Sequence, residues 1–141
     1  MEFIYRTMIE EHGLPKLGAS ASTLGVRKGK DIATDENGLV HCPDFQVGHK
    51  NGMSCAPLIA DLPEFAIPVE WGGNNTRVKL WRIRVADLGP ELTAEQDAPT
   101  HVSIGPSTTR TFVDFVQAIQ STAPLWELMT VTKSLSHASE D

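Results

Sequence analysis

The chain opens on a run of bulky residues, Phe3-Ile-Tyr-Arg-Thr-Met8, whose alternation predicts a strand with Phe3 and Tyr5 on one face and Ile4, Arg6 and Met8 on the other. Gly, Pro and Ser dominate from His12 to Ser22, which reads as a loop, and Leu24-Gly-Val-Arg27 is at most a short strand. Asp35-Glu-Asn-Gly38 carries an Asn-Gly turn signature ahead of Leu39-Val-His-Cys42, predicting a hairpin over residues 32 to 42. Pro43 to Gly52 reads as a second loop. Val78 to Val85 is the clearest strand, and its apolar phase changes between Leu80 and Trp81, as expected of a bulge or of a centre buried on both faces. His101-Val-Ser-Ile104 is another short strand.

One segment has helical periodicity. Phe112, Phe115, Val116, Ile119 and Ala123 form a single stripe while Asp114, Gln117 and Gln120 face away, predicting a helix over Thr111 to Ala123 with Thr111 and Asp114 as a variant capping box. Pro124 ends or restarts it, and Leu125, Leu128 and Met129 continue the helical spacing. Strands outnumber helices and do not alternate with them, so the expected class is α+β, a compact and mostly antiparallel sheet core with few helices. No repeat or linker divides the chain; residues 1–132 are expected to form one domain, and 133–141, poor in apolar residues, a frayed tail.

Composition narrows the classes. The 141 residues are 40% hydrophobic, enough for a folded core and far from a membrane-spanning pattern, since the longest apolar runs are a few residues against the ~20 a spanning helix needs. No basic patch with a following apolar region marks a signal peptide at the N-terminus. A formal charge of −6 argues against general attraction to nucleic acid. Cys42 and Cys55 are too few for a disulfide framework.

Several residues suggest chemistry. Gly52-Met-Ser54-Cys-Ala56 half matches the nucleophile elbow Gly-x-Ser-x-Gly, and Ser54, His101 and one of several Asp residues would make a hydrolase triad if the fold joined them. The ordinary alternative is a serine packed beside a tight turn. His41, Cys42, His49 and Cys55 are zinc-ligand types at no standard spacing, so no metal site is assigned and the cysteines read as small buried hydrophobes. Arg77, Lys79, Arg82 and Arg84 interleave with Trp81, as a phosphate-binding strand would or as a solvated strand face would. Arg6 sits in an apolar strand, where a guanidinium requires an anion, either an internal carboxylate or a bound phosphate. His101 reads as a satisfied core histidine or as a site residue.

Taken in order, Ile4-Tyr-Arg6, Leu24-Gly-Val-Arg27 with Asp31-Ile32, Gly38-Leu-Val40 with Pro43, Gly52-Met-Ser54, and Thr100-His-Val-Ser-Ile-Gly-Pro106 ahead of the Phe112 to Trp126 region resemble the small toxins called type VI secretion effector two. The resemblance spans nearly the whole chain in pieces of no more than seven residues. It implies an ADP-ribosyltransferase-like fold and an enzyme that consumes NAD. It implies Arg6 as dinucleotide anchor, Ser54 in the nicotinamide pocket, and His101, ahead of the final strand, orienting the ribose. Tyr5, Trp71 and Trp81 are its candidate stacking platforms.

Cleaving the nicotinamide bond makes an oxocarbenium-like ribose that a carboxylate would stabilise. Ser103-Ile-Gly-Pro106 offers none where the transferase pattern has glutamate, and Glu91 and Glu95 lie just upstream. A toxin of this kind implies an immunity or antitoxin partner, an intracellular macromolecular target, no membrane partner, and a cytoplasmic location in the producing cell or in a target cell. The alternative from a different class is a non-catalytic interaction module that keeps the fold without the chemistry.

Overall fold

The computed structural model describes residues 1–17, 24–43 and 51–131. The tail assigned to 133–141, His49 and most of the 43–52 loop lie outside them. The chain is a mixed α and β structure in which strand pairing is mostly antiparallel. No helix among the described residues is long and apolar enough to cross a membrane.

Two three-stranded sheets carry the core. In the first, β1 (Phe3–Met8) and β10 (Glu127–Leu128) flank β6 (Lys79–Arg84). The phase change in β6 has its second predicted cause: Leu80 is buried on one face with Ala56 and Leu62, while Trp81 and Ile83 are buried on the other in the main core. Trp81 is therefore core, its indole N–H donating to the Met8 carbonyl at 3.0 Å, and it cannot serve as a stacking platform. The basic stripe also disperses, for Arg82 pairs with Glu127 and Arg84 with Glu2, both over the Phe3 ring.

In the second sheet, β8 (His101–Pro106) lies between β5 (Met53–Cys55) and β7 (Leu92–Ala98). The sheets meet where Tyr5 of β1 and Ala56, just after β5, exchange backbone hydrogen bonds of 2.9 and 2.8 Å. Gly52 makes the close packing of β5 on β8 possible, since a Cβ there would stand 2.0 Å from the Ile104 carbonyl oxygen and its φ is +135°.

The helix, α1 (Phe112–Gln120), buries Phe112, Phe115, Ala118 and Ile119, and the Thr111 hydroxyl accepts from the Asp114 backbone N–H at 3.1 Å. Beyond it the expectation fails. Residues 123–125 make a single 3₁₀ turn, and Glu127–Leu128 pair with β6 instead of continuing a helix, because Pro124 removes a backbone donor and β6 offers a free edge. The Asn-Gly turn forms, with the Gly38 N–H on the Asp35 carbonyl at 2.9 Å. Its second strand, β4 (Leu39–Val40), pairs with β9 (Arg110–Thr111) rather than folding back on residues 32–34. Leu24 and Val26 are fully buried without forming a strand. A short hairpin of β2 (Glu10–Glu11) and β3 (Leu14–Pro15) completes the set.

Candidate functional site

Beside the Tyr5–Ala56 junction lies a cleft of about 520 Å³ whose lining includes Tyr5, Arg6, Ser54, Asp61, Phe65 and His101. Arg6, Ser54 and His101, with Tyr5 and Cys55 beside them, thus converge from three strands.

Arg6 projects from the face of β1 that also carries Ile4 and Met8. Its Nη1 donates to the Ser54 carbonyl at 2.6 Å and its Nη2 to the Leu24 carbonyl at 3.5 Å, while Nε is buried with no partner. No carboxylate of the described residues forms an ion pair with it. Asp31 stands near enough to favour the charge, but that carboxylate is committed to Arg27 at 2.8 Å. Burial lowers the Arg6 pKa, with Cys55 and Asp31 opposing, and an arginine still stays charged. The internal carboxylate expected for it is absent among the described residues; two backbone carbonyls hold it instead. The loop over it depends on Gly25, whose φ is +68° and whose Cβ would lie 2.6 Å from Nη2.

Ser54 sits in the middle of β5 with its side chain exposed, between buried Met53 and Cys55. It is not on a strained strand-to-helix turn, so the elbow reading of Gly52-Met-Ser54 does not hold. Ser54 lies opposite Ser103 of β8, and His101, two residues before Ser103, is its diagonal neighbour on the same face. His101 Nε2 is 3.1 Å from Ser54 Oγ, and Nδ1 is 2.5 Å from Asp97 Oδ1. The other Asp97 oxygen accepts from Asn51 at 2.9 Å and from Ser103 at 2.7 Å. Burial pushes the Asp97 carboxyl up, but the hydrogen bonds from Asn51, His101 and Ser103 outweigh it and hold it below the usual carboxylate range. His101 is thus half-buried and held by a second carboxylate-bearing strand, rather than closed into the core.

Asp97 was one of several undistinguished acids in the sequence, and β7 carries no strong strand signal. Its position depends on a bulge: between the Glu95–Ser103 and Ala98–His101 pairs, β7 advances three residues while β8 advances two, which re-aims the intervening side chains. Asn51 and Ser103, both buried, had no signal except that polar groups inside a protein need partners.

The remaining candidates, apart from Cys55, which lines the cleft, fall away from it. His41 lies between Asp35 at 2.7 Å and Thr109 at 2.9 Å, and among the described residues no three His, Cys, Asp or Glu side chains gather as metal ligands. Cys55 is buried, which pushes its thiol up to about 12 against the pull of Arg6, whereas Cys42 is only partly covered. Glu91 reaches toward Arg110 and lines a different hollow. Trp71 packs with Leu62, Leu80 and Ala56.

Compared with known proteins, the chain gives no significant match to a family model, a curated protein or a solved structure.

Proposed function

We propose that this chain is an ADP-ribosyltransferase-like bacterial toxin that uses NAD to modify an intracellular macromolecule, with an immunity or antitoxin protein as its partner. The observation that carries the reading is the convergence of Arg6, Ser54 and His101 on one cleft; their roles are those that the toxin resemblance implies. The fit of the residues to a dinucleotide rests on Arg6, a cation with an unpartnered buried Nε and no direct carboxylate among the described residues. Each Nη keeps a second N–H beyond its bond to the Ser54 or Leu24 carbonyl, a donor type that suits phosphate oxygens, and the cleft volume lies in the range of small-ligand sites.

Bound NAD supplies a nicotinamide leaving group on a ribose carbon. Arg6 would hold the pyrophosphate, and Ser54, whose carbonyl is already engaged by Arg6, would offer its hydroxyl to the nicotinamide amide. His101, fixed by Asp97 through Nδ1, would present Nε2 to a ribose or acceptor hydroxyl. Tyr5 would pack against the bound rings.

Titration with NAD and assay of nicotinamide release test the reading. Saturable binding and release, both lost in Arg6→Ala, are expected; absence of saturable binding favours the interaction module. In cells, expression should slow growth and Arg6→Ala or His101→Ala should restore it, whereas unaltered toxicity in both variants would sink the site assignment.

A second reading, a serine hydrolase, is favoured by the Ser54–His101–Asp97 relay, whose order of contacts is that of a nucleophile, its base and the group that orients the base. It predicts that a fluorophosphonate labels Ser54 in folded protein and spares His101→Ala. Unlabelled wild-type protein rejects it.

A further inference from the structure

Transfer of ADP-ribose calls for a negative charge where the ribose becomes cationic, and the β8 segment from Ser103 to Pro106 has none. Resting on the transferase reading, we infer that Asp61, from a different part of the fold, is the carboxylate that faces the ribosyl cation.

Asp61 is the carboxylic acid among the residues that line the cleft with Arg6, Ser54 and His101. The other candidates are committed or elsewhere. Asp97 spends both oxygens on His101, Asn51 and Ser103. Asp31 is held by Arg27, Glu91 lines another hollow, and Glu95 pairs with Ser103 in β7 without reaching the cleft lining. Asp61, by contrast, is partly exposed and its carboxylate has no hydrogen-bond or ion-pair partner among the described residues.

Its position is nevertheless built. Asp61 ends the 3₁₀ turn Ile59–Asp61, its own N–H donating to the Leu58 carbonyl at 3.0 Å. The next residue, Leu62, is buried against Ala56 and Leu80, with Ile59 and Tyr5 packed on the same cluster. Ala56 is the residue that bridges to Tyr5. The turn is thus anchored to the junction from which Arg6 and Ser54 also project, and the cleft carries a fixed cation and an uncommitted anion.

In the step this arrangement serves, the bond from the ribose carbon to nicotinamide breaks and its electron pair leaves with the nicotinamide ring nitrogen. The acceptor oxygen or nitrogen forms the new bond to that carbon, and its proton passes to His101 and then to solvent. Asp61 lends its carboxylate to the positive charge between the two events, without forming a bond.

The test uses the full chain, with NAD binding by calorimetry and nicotinamide release measured in parallel. Asp61→Asn should lower release by about 100-fold or more, while the Kd for NAD changes by less than about threefold, the signature of an interaction made in the transition state. Asp61→Glu, which keeps the charge, should retain more release than Asp61→Asn. Wild-type release in Asp61→Asn, or equal loss in both variants, overturns the assignment while leaving the transferase reading intact. Failure of the wild-type chain to bind NAD overturns that reading and this inference with it.

Discussion

Arg6 and Ser54 are joined through the backbone: the guanidinium of the first donates to the carbonyl of the second at 2.6 Å, across a separation of 48 residues. The Ser54 hydroxyl, a separate group, lies 3.1 Å from His101 Nε2. One residue therefore couples the cationic part of the cleft to the Asp97–His101 pair.

Arg6→Lys keeps the charge but loses the fork that spans two carbonyls. Calorimetry should show NAD affinity weakened about tenfold or more in Arg6→Lys and further in Arg6→Ala, since a hydrogen bond to a charged group contributes roughly 1.5–3 kcal/mol. Unchanged affinity in both would remove the anchor role.

Gly25→Ala tests the loop above the guanidinium. The new Cβ would meet Nη2 at 2.6 Å in a backbone conformation at φ +68°, so both strain and displacement are expected, at about 1–3 kcal/mol. A thermal melt should fall and NAD binding should weaken although residue 25 bears no functional group. A melt equal to wild type would show that the loop is free to move away.

Asp97→Asn keeps the shape of the His101 support and removes its charge. If His101 moves a proton, kcat should fall by about 10²–10⁴ while NAD affinity stays near wild type. A purely structural Asp97 would lower the melting temperature and leave kcat near wild type.

Acid stability follows from the same carboxylate. Asp97, Asp31 and Asp35 are each held below the ordinary range in the folded chain. Their stabilising contribution is therefore fully present above the unfolded value of about 4 and is lost as pH falls through the lower folded values. Denaturant melts should be level from pH 7 to 5 and decline below about pH 4, with a shallower decline in Asp97→Asn. A melt that weakens as pH rises from 5 to 7 would contradict this.

Periodicity alone located β1, β6, β8 and the capped helix, because each presents a run of apolar positions that demands burial. The same reading singled out Arg6, Ser54 and His101 by residue type and by the cost of burying a guanidinium in an apolar strand. It mistook Leu125 to Met129 for helix because β10 is two residues long and exists only through the edge of β6. It assigned the Asn-Gly turn correctly and its partner strand wrongly, since local turn chemistry fixes a chain reversal but not which distant edge lies alongside.

The composition, the apolar faces and the candidate residue types were determined by the sequence, because burial and turn formation are local demands. Tertiary structure alone decided that Ser54, His101 and Asp97 touch, since their contact depends on the pairing of β5, β8 and β7 and on one extra residue in β7. It also decided that Arg6 rests on carbonyls and that Asp61 shares its cleft. Those facts arise from strands far apart in the chain, whose registers no single segment encodes.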